Sequence, residues 1–512
     1  MRGARAWARP GPTLAIGLLA LLLAGSGCAG SSRPAPGQVA NAPAPSLRPG
    51  RAPRVTVPAG FRAAGREIAH DFLGLSFEAA DLPRLGAYST RGDLVRLLRS
   101  LGPGVLRVGG ATVDTQAVWS PGAIALAPWA HTRITAADLS AIGALARATG
   151  WRVLLAVNLG HYDPRGAAEE VQAARAALGH ALIAVELGNE PDAFVRESLR
   201  STGWGFARYA VEVSAYRRAI EALAPGVALA GPDAVNVSSG LSWVTDEAAR
   251  EHPALLTGHY YPLGRCQQYV PQISDLLDPG LRVGESKALA LLAGIGRSSA
   301  IPLRVDETNN VACGGQPGVS DTFASALWAL DYTVRAMDAG VAGINFHGNP
   351  AHPSSYAPLA ADSAQALEAG SLTAKPEWYA LLVARRLLGD RPLRAANLAP
   401  AGLVGSTTAF LRPDGGLHIL VVNDAPPGAV PLVVHVPRPQ SFDHATVLRL
   451  TAPAPSALSG LRLGGRSVAP DGGFAAGPLP RIPAQASSLS VTVAPSSAAL
   501  VTVSLHRGAP GR

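Results

Sequence analysis

Carboxylates follow two short apolar segments that lie far apart in the chain. The segment at 182–187 leads into Asn189 and Glu190, and the segment at 302–305 leads into Glu307. When parallel strands close into a barrel, their carboxyl ends meet at one mouth, where active sites are built. Hydrolysis of a glycosidic bond needs two carboxyl groups across that bond. Glu190 and Glu307 are therefore candidates for this pair, and the alternative for each is a solvated glutamate at a strand end.

The composition indicates a globular protein of more than one domain. The chain has 512 residues, of which 48% are hydrophobic and 16% are charged, unlike a disordered protein. The net charge of +8 is concentrated at the amino terminus, because residues 1–54 carry seven Arg and no Asp, Glu or Lys. The rest of the chain is close to neutral, which argues against a nucleic-acid partner.

The amino terminus predicts export. Arginines precede an apolar run at 14–24, which is too short to span a membrane but suits a signal peptide at 1–28. The small residues before Cys28 resemble a bacterial lipoprotein cleavage box, although Gly25 stands where Leu is usual. We expect a lipidated Cys28 as the only membrane attachment of a cell-envelope protein, with plain secretion as the alternative. Residues 29–53, rich in Pro and Ala, are predicted to be a linker.

Eight short apolar segments alternate with helical patterns between residues 71 and 389. Apolar residues spaced three and four apart at 206–223 and 323–337 are typical of helices with one buried face. Eight such units favour an α/β fold, a (β/α)8 TIM barrel at 71–389, with a doubly wound sheet as the alternative. The predicted strands are 72–78, 105–109, 153–157, 183–187, 227–230, 255–260, 303–306 and 343–346.

The sequence pattern changes beyond residue 389. Helical spacing disappears, and short apolar runs such as 417–422 and 499–504 are separated by Asp-Gly and Pro-Gly turns. This pattern predicts an accessory C-terminal β-sandwich at 390–512. The segment 54–70 begins with another apolar run, which is expected to add an N-terminal strand to that sandwich.

The motifs in and around these segments resemble those of glycoside hydrolase family 79, the heparanase and β-glucuronidase family of clan A. The resemblance covers about residues 60–510, with the order of the motifs intact. Its most specific motif is 318–332, which begins Gly-Val-Ser-Asp-Thr-Phe-Ala-Ser. The other matching motifs are 72–78, 106–110 with Asp114, 188–191, 259–261, 307–309 with Gly314 and Gly315, 345–348 with Tyr356, and 376–379.

This resemblance implies roles for individual residues. Glu190 would be the acid/base and Glu307 the nucleophile, while Asn189 would bond the 2-hydroxyl of the sugar. No cofactor and no metal is expected. The further substrate-binding residues would be Glu78 and Asp114 for outer hydroxyls, Tyr260 for holding the nucleophile, Gly314, Gly315 and Tyr356 for a uronate carboxylate, and His347, which could instead be a core residue.

Structural alternatives remain for three of these residues. Glu78 could pair with Arg107 inside the barrel mouth, and Asp114 could cap the following helix. Tyr260 and Tyr261 are adjacent in a predicted strand, so their side chains point to opposite faces and one of them is expected in the core.

The cysteines are consistent with an exported protein. If Cys28 is acylated, Cys266 and Cys313 remain as an even pair in a compartment that permits disulfides. These two residues follow the sixth and seventh predicted strands, whose ends are neighbours at one barrel mouth. We therefore expect a disulfide between them, with two reduced buried thiols as the alternative.

Together these features predict an exported retaining glycoside hydrolase that cleaves β-glucuronides in a carbohydrate or glycoconjugate. One departure affects the substrate, because bacterial β-glucuronidases of the family have a Tyr shortly after the nucleophile and the segment 308–315 has none. The enzyme alternatives are a clan A β-xylosidase or arabinofuranosidase. A non-catalytic carbohydrate-binding lipoprotein is the alternative from another class, and the presence of both Glu190 and Glu307 argues against it.

Overall fold

The computed structural model describes ten segments of the chain. They are residues 54–56, 63, 65–122, 125–235, 237–350, 355–393, 404–427, 432–437, 442–483 and 488–505. The predicted signal peptide, the linker and Cys28 lie outside these residues. Among the described residues, no helix combines the length and the apolar character needed to cross a membrane.

Eight parallel strands form a closed barrel. Each strand pairs with the next strand along the chain, and the ring closes because β8 pairs with β1. This arrangement confirms the predicted (β/α)8 barrel over the doubly wound sheet. The strands are β1 Leu73–Glu78, β2 Val105–Gly109, β3 Arg152–Val157, β4 Leu182–Leu187, β5 Leu229–Ala234, β6 Leu255–Tyr260, β7 Leu303–Thr308 and β8 Gly343–His347.

Helices lie between the strands and after them. Helix α4 begins with a reciprocal cap, in which Thr135 accepts from the Asp138 N–H and Asp138 accepts from the Thr135 N–H. Helix α10 is almost wholly buried, because α9, α12 and the sandwich pack against it. The helices are α1 Leu82–Ala87, α2 Leu94–Leu101, α3 Thr112–Thr115, α4 Ala136–Thr149, α5 Pro164–Leu178, α6 Phe206–Leu223, α7 Val237–Arg250, α8 Ile273–Leu276, α9 Pro279–Ser299, α10 Phe323–Ala339, α11 Ala364–Ala369 and α12 Pro376–Ala384.

Polar side chains fill the amino-terminal end of the barrel. The buried guanidinium of Arg304 donates to the carbonyl oxygens of Asp71, Phe72 and Ile344 at 3.2, 3.0 and 3.3 Å. Its Nε donates to the Asn345 side-chain oxygen at 2.5 Å. These bonds satisfy the buried polar groups and seal this end, so that the carboxyl end of the barrel is left for a site.

Two sheets form the C-terminal domain. One is antiparallel in the order β9-β10-β11-β17-β13-β14, with β15 also paired to β13. In the other, β12 pairs with β16 and, in parallel, with the N-terminal strand Arg54–Thr56. The strands are β9 Arg391–Pro392, β10 Gly405–Leu411, β11 Leu417–Asn423, β12 Leu432–Pro437, β13 Phe442–Thr451, β14 Arg462–Leu463, β15 Arg481–Pro483, β16 Ser488–Val493 and β17 Ser497–Leu505.

A buried ionic cluster joins the barrel to the C-terminal domain. The Arg282 guanidinium of α9 donates to Asp331 of α10 at 2.8 Å and also contacts Asp424, just beyond β11. Asp331 further accepts from Ser406 of β10 and pairs with Arg335. The two domains therefore share polar contacts as well as apolar packing.

Candidate active site

The two candidate carboxylates lie at the same mouth of the barrel. Glu307 is the fifth residue of β7, and Glu190 follows the end of β4. Glu190 has a left-handed backbone with φ of 50°, and its N–H donates to the Asp233 carbonyl oxygen at 2.9 Å. This turn directs the Glu190 side chain into the mouth instead of along the sheet.

Arg107, on β2, is the centre of the polar network beneath both carboxylates. It is fully buried, and its Nη1 donates to Glu307 Oε2 at 2.7 Å while its Nη2 donates to Asn189 Oδ1 at 2.9 Å. The bond to Asn189 fixes the orientation of that amide. The remaining partners of the guanidinium are Ser76 at 3.0 Å, Glu186 at 2.9 Å, Asp233 at 2.6 Å and Asp306 at 3.1 Å.

Glu307 is held in its ionised form. Burial by itself raises the pKa of Glu307, but the charges of His347, His259 and Arg107 and a hydrogen bond from Tyr261 outweigh burial and lower it to about 2. The Tyr261 hydroxyl donates to Glu307 Oε1 at 3.0 Å. A carboxylate that is ionised at all working pH values and fixed at both oxygens has the state that a nucleophile requires.

His259, at the end of β6, lies between the two carboxylates. Its Nδ1 is 2.9 Å from Glu190 Oε1 and 4.0 Å from Glu307 Oε1. Its Nε2 is 2.7 Å from Asp233 Oδ1. Burial lowers the pKa of His259, but the charges of Asp233, Glu307 and Asp306 outweigh burial and raise it well above its ordinary value. These charges therefore favour the protonated imidazole.

The deeper carboxyl groups differ in their ionisation. Burial raises the pKa of Glu186, and burial together with the charge of Asp306 raises the pKa of Asp233 to about 8, although Arg107 opposes both increases. Burial also raises the pKa of Asp306, but a hydrogen bond with Asp233 and the charges of Arg107 and His259 outweigh it and leave that pKa lowered. Within this network Asp306 is therefore the carboxyl group that ionises most readily, whereas Glu186 and Asp233 keep their protons to higher pH.

Asp233, His259 and Asp306 form a group of possible metal ligands among the described residues. One ligand atom of each lies within 4.8 Å of the others. However, the Arg107 guanidinium already contacts Asp233 at 2.6 Å and Asp306 at 3.1 Å. These carboxylates have a cationic partner, so the arrangement fits an ion-pair network better than a metal site.

Glu78 and His347 form a second polar pair at the mouth. Glu78 Oε2 accepts from the Thr112 N–H at 2.9 Å, and Glu78 Oε1 lies 3.5 Å from His347 Nε2. Glu78 therefore does not form the alternative pair with Arg107. Its carboxylate passes so close to Gly110 that a Cβ there would lie 2.5 Å from Oε2, and Gly110 also has a φ of +67°. His347 Nδ1 is 3.7 Å from Glu307 Oε2, so His347 bridges the two carboxylates.

Asp114 is not in a position to bond a sugar hydroxyl. It is 1% exposed, and its Oδ1 accepts from the N–H groups of Leu159 and Gly160 at 2.8 and 2.7 Å. Its Oδ2 accepts from the N–H of Asn189 at 2.7 Å. The expected substrate contact is therefore wrong, because three backbone donors occupy the carboxylate. Asp114 instead holds the loop after β3 against the residue that precedes Glu190.

The expected role of Tyr260 belongs to its neighbour. Strand β6 ends at Tyr260, whose ring stacks on Tyr332 with centroids 6.1 Å apart in the core. Tyr261 lies beyond the strand, and its hydroxyl is the group that contacts Glu307. The prediction that Tyr260 holds the nucleophile is wrong, because strand alternation places Tyr260 on the outer, helix-covered face of the barrel.

Gly314, Gly315 and Tyr356 are brought together beside this site, but only part of the expected donor set faces it. The Gly315 N–H donates to the Val311 carbonyl oxygen at 3.1 Å, so it is not directed at a ligand. The Gly314 N–H instead faces the Tyr356 hydroxyl, which also contacts Tyr261. There is open space where a Cβ of Gly314 would lie. The N–H groups of Gly314 and Gly315 are therefore both engaged within the protein.

A disulfide and a short strand pair hold the loops that carry these residues. Cys266 and Cys313 are bonded, with their Cα atoms 5.4 Å apart. The segments Leu263–Gly264 and Val311–Ala312 pair in parallel next to the disulfide. The loop after β6 is thereby tied to the loop that follows Glu307.

Several residues of the site have no obvious signal in the sequence. Asp233 lies in β5, and Glu377 is a buried residue of α12 that accepts from Asn310 at 2.8 Å and Ser325 at 2.9 Å. Glu377 also accepts from Asn309 at 3.2 Å. Glu377 lies in the matched motif 376–379, but neither this motif nor the sequence around Asp233 indicates which side chains these two carboxyl groups contact.

Comparisons with known proteins agree on the fold. No family model matches the chain. A β-glucuronidase from Neurospora crassa is 25% identical over 302 residues, and this alignment covers 53% of the chain and half the length of that relative. Among solved structures, a 4-O-α-L-rhamnosyl-β-D-glucuronidase from Fusarium oxysporum matches with a TM-score of 0.70 at 18% identity, covering 88% of this chain and all of the other.

Other similar solved structures are named as arabinofuranosidases. A family 51 arabinofuranosidase from Xanthomonas axonopodis pv. citri matches with a TM-score of 0.60 at 14% identity, covering 86% of this chain and 97% of the other. At these identities the likeness concerns the fold. The chain thus has the barrel-and-sandwich fold of solved glucuronidase and arabinofuranosidase structures.

Proposed function

We propose that the protein is an exported retaining glycoside hydrolase that cleaves β-glucuronides. The observation that carries this proposal is the pair formed by Glu190 and Glu307, which share His259, together with the lowered pKa of Glu307, which the charges of His347, His259 and Arg107 favour over the effect of burial. We propose export on the basis of the amino-terminal sequence pattern alone.

The separation of the carboxyl groups supports retention. The contacts of one His259 nitrogen, at 2.9 and 4.0 Å, limit the distance between the two nearest carboxyl oxygens to about 7 Å. Retaining enzymes have carboxyl groups about 5–5.5 Å apart, whereas inverting enzymes need about 6.5–9.5 Å to hold a water between them. The limit concerns one pair of oxygens, and it is compatible with the separation of a retaining enzyme.

The roles in a double displacement follow from this arrangement. In the first step, the Glu307 carboxylate attacks the anomeric carbon, the bond to the leaving oxygen breaks, and that oxygen takes the proton of Glu190. In the second step, the Glu190 carboxylate takes a proton from water, the water oxygen attacks the same carbon, and the ester bond to Glu307 breaks. Asn189, oriented by Arg107, would bond the 2-hydroxyl.

Selectivity for a uronate would come from the loops after β7 and β8. The Tyr356 hydroxyl contacts Tyr261, which donates to Glu307, and it also bonds the Gly314 backbone. Tyr356 is therefore a buried polar group near the proposed nucleophile. A site that bonds a carboxylate rejects a sugar that lacks it, because its buried donors are then left without partners. The Neurospora crassa relative, named a β-glucuronidase, supports the same substrate class.

A panel of 4-nitrophenyl glycosides tests the substrate. We expect kcat/KM for the β-glucuronide to exceed that for the β-glucoside by at least about 100-fold. Tyr356→Phe should reduce this preference about tenfold. Equal or better turnover of the β-xyloside, which has no C6 group, would contradict a carboxylate pocket. Best turnover of the α-L-arabinofuranoside would favour the alternative that the arabinofuranosidase structures represent.

The mechanism is tested with the same glucuronide. NMR of the first product should show the β anomer, and inversion would contradict the double displacement. Glu307→Gln should lower kcat at least about 10⁴-fold, because it removes the nucleophile. Glu368→Gln, at an exposed position, is the matched control and should retain wild-type activity. No turnover of any glycoside together with measurable sugar binding would favour the non-catalytic carbohydrate-binding protein.

A further inference from the structure

Glu190, the candidate acid/base, has a side-chain partner on its buried side. Of its two carboxyl oxygens, Glu190 Oε1 is 2.9 Å from His259 Nδ1, on the buried side. Glu190 Oε2 lies 3.9 Å from Arg196, whose side chain is 66% exposed and marks the solvent side. One oxygen is therefore anchored in the barrel, and the other faces the opening through which a leaving group would depart.

Asp233 anchors the same residue from a second direction. Its carbonyl oxygen accepts the Glu190 N–H at 2.9 Å, and its Oδ1 bonds His259 Nε2 at 2.7 Å. Both Glu190 and Asp233 have left-handed backbones, with φ of 50° and 59°. Such conformations persist for non-glycine residues only when the surroundings hold them. The main chain and the side chain of Glu190 are thus fixed by one connected set of contacts.

We propose that His259 is a positioning residue for Glu190, holding Oε1 through Nδ1 so that Oε2 is directed at the leaving oxygen. This inference rests on the proposed function. His259 Nε2 and Asp233 fix the ring, and the Nδ1–H stabilises the negative charge that Glu190 acquires when it gives up its proton. The other charged groups around this ring are Asp306 at 3.5 Å, Glu307 at 4.0 Å and Asp192, whose pKa burial raises to about 6 although the charge of His259 opposes the increase.

Two substitutions separate the contacts of the two ring nitrogens. In His259→Asn the amide nitrogen takes the place of Nδ1 and can still donate to Glu190, whereas in His259→Gln it takes the place of Nε2 and loses that bond. Both substitutions remove the same positive charge. Any effect of charge on Glu307 is therefore shared, and a difference between the two variants reports the Nδ1 contact.

The readout is the dependence on the leaving group. A 2,4-dinitrophenyl glucuronide departs with little acid assistance, whereas a phenyl glucuronide needs the proton of Glu190. For His259→Gln we expect kcat/KM on the phenyl substrate, relative to the dinitrophenyl substrate, to fall about 100-fold. For His259→Asn this ratio should stay within about fivefold of wild type. His131→Asn, at an exposed histidine, is the control and should leave the ratio unchanged.

The outcomes distinguish this inference from the proposed function. Equal ratios for His259→Asn and His259→Gln, in an active enzyme, would overturn the positioning role alone. A wild type that hydrolyses neither glucuronide would contradict the proposed function and, with it, the role of His259. If His259→Gln does not fold, Asp233→Asn takes its place, because it weakens the support of the ring. The ratio should then fall about tenfold, and an unchanged ratio would overturn the proposal.

Discussion

At the scale of single residues, Arg107 decides which carboxyl groups near the site are charged. A buried guanidinium is stable only with well-placed partners, and Arg107 has contacts with four carboxyl groups on three different strands. Because these groups repel one another, they cannot all ionise. The pKa of Glu307 is lowered and that of Asp233 is raised, so negative charge is favoured on Glu307, the proposed nucleophile.

Glu170 provides a residue-scale prediction about pH. It is 3% exposed, one of its oxygens has no partner, and burial raises its pKa from 4.5 to about 8. The folded protein therefore keeps a proton that the unfolded chain releases, and stability falls as the pH rises through this window. Glu170→Gln removes this loss of stability with rising pH, because the glutamine side chain does not titrate. Between pH 5 and pH 8, the unfolding free energy of the variant should rise by at least about 1 kcal/mol relative to that of the wild type.

Urea unfolding at both pH values measures this difference. Glu169→Gln, at the neighbouring position, which is paired on the surface with Arg165, is the control and should follow the pH dependence of the wild type. A Glu170→Gln variant whose stability changes with pH as the wild type does would show that Glu170 is ionised in the folded protein.

At the scale of elements, the loops after β6 and β7 act as one unit. The Cys266–Cys313 disulfide and the paired segments Leu263–Gly264 and Val311–Ala312 connect them, and the Gly314 carbonyl oxygen accepts from the Ser355 N–H at 2.9 Å. The loop after β8, which carries Tyr356, is thereby joined to the other two. The position of the proposed carboxylate pocket depends on this connection.

The double variant Cys266→Ser/Cys313→Ser should separate binding from chemistry. Because the disulfide holds the Gly314 loop but touches neither catalytic carboxylate, we expect KM for the glucuronide to rise about tenfold, with kcat within about threefold of wild type. The unfolding free energy should fall by about 2–4 kcal/mol. An unchanged KM would mean that the strand pair is sufficient to hold the loop.

At the scale of the whole molecule, the barrel and the sandwich are held together by buried charges. Arg282 of the barrel contacts Asp331 of the barrel and Asp424 of the sandwich, and both carboxylates are almost wholly buried. Removing one member of such a cluster leaves the charge of its partner unpaired in a region of low dielectric. The contact between the domains is therefore sensitive to single substitutions.

Asp424→Asn tests this connection. We expect the unfolding free energy to fall by about 3 kcal/mol, with kcat/KM unchanged below the transition, because the cluster lies away from the barrel mouth. Asp362→Asn is the matched control, since its pair with Lys375 is exposed and should contribute less than about 1 kcal/mol. Equal stability of the two variants would show that the domains are held by apolar packing.

The sequence by itself determined the barrel and the candidate carboxylates. Alternating apolar segments and helical spacing are local patterns, and they indicated eight strands and the ends at which Glu190 and Glu307 lie. A resemblance to known motifs added Asn189, Glu78 and Tyr356. These positions could be predicted because strand ends and short motifs are encoded by neighbouring residues.

Only the tertiary structure decided how the remaining groups act. Arg107 and His259 belong to matched motifs, but these two residues and Asp233 are on different strands, so no local pattern indicates which contacts they make beneath the carboxylates. The sequence also could not tell that Asp114 bonds backbone N–H groups or that Tyr261, just past the end of β6, replaces Tyr260. Contacts between distant residues and the exact end of a strand depend on three-dimensional packing, which local patterns do not contain.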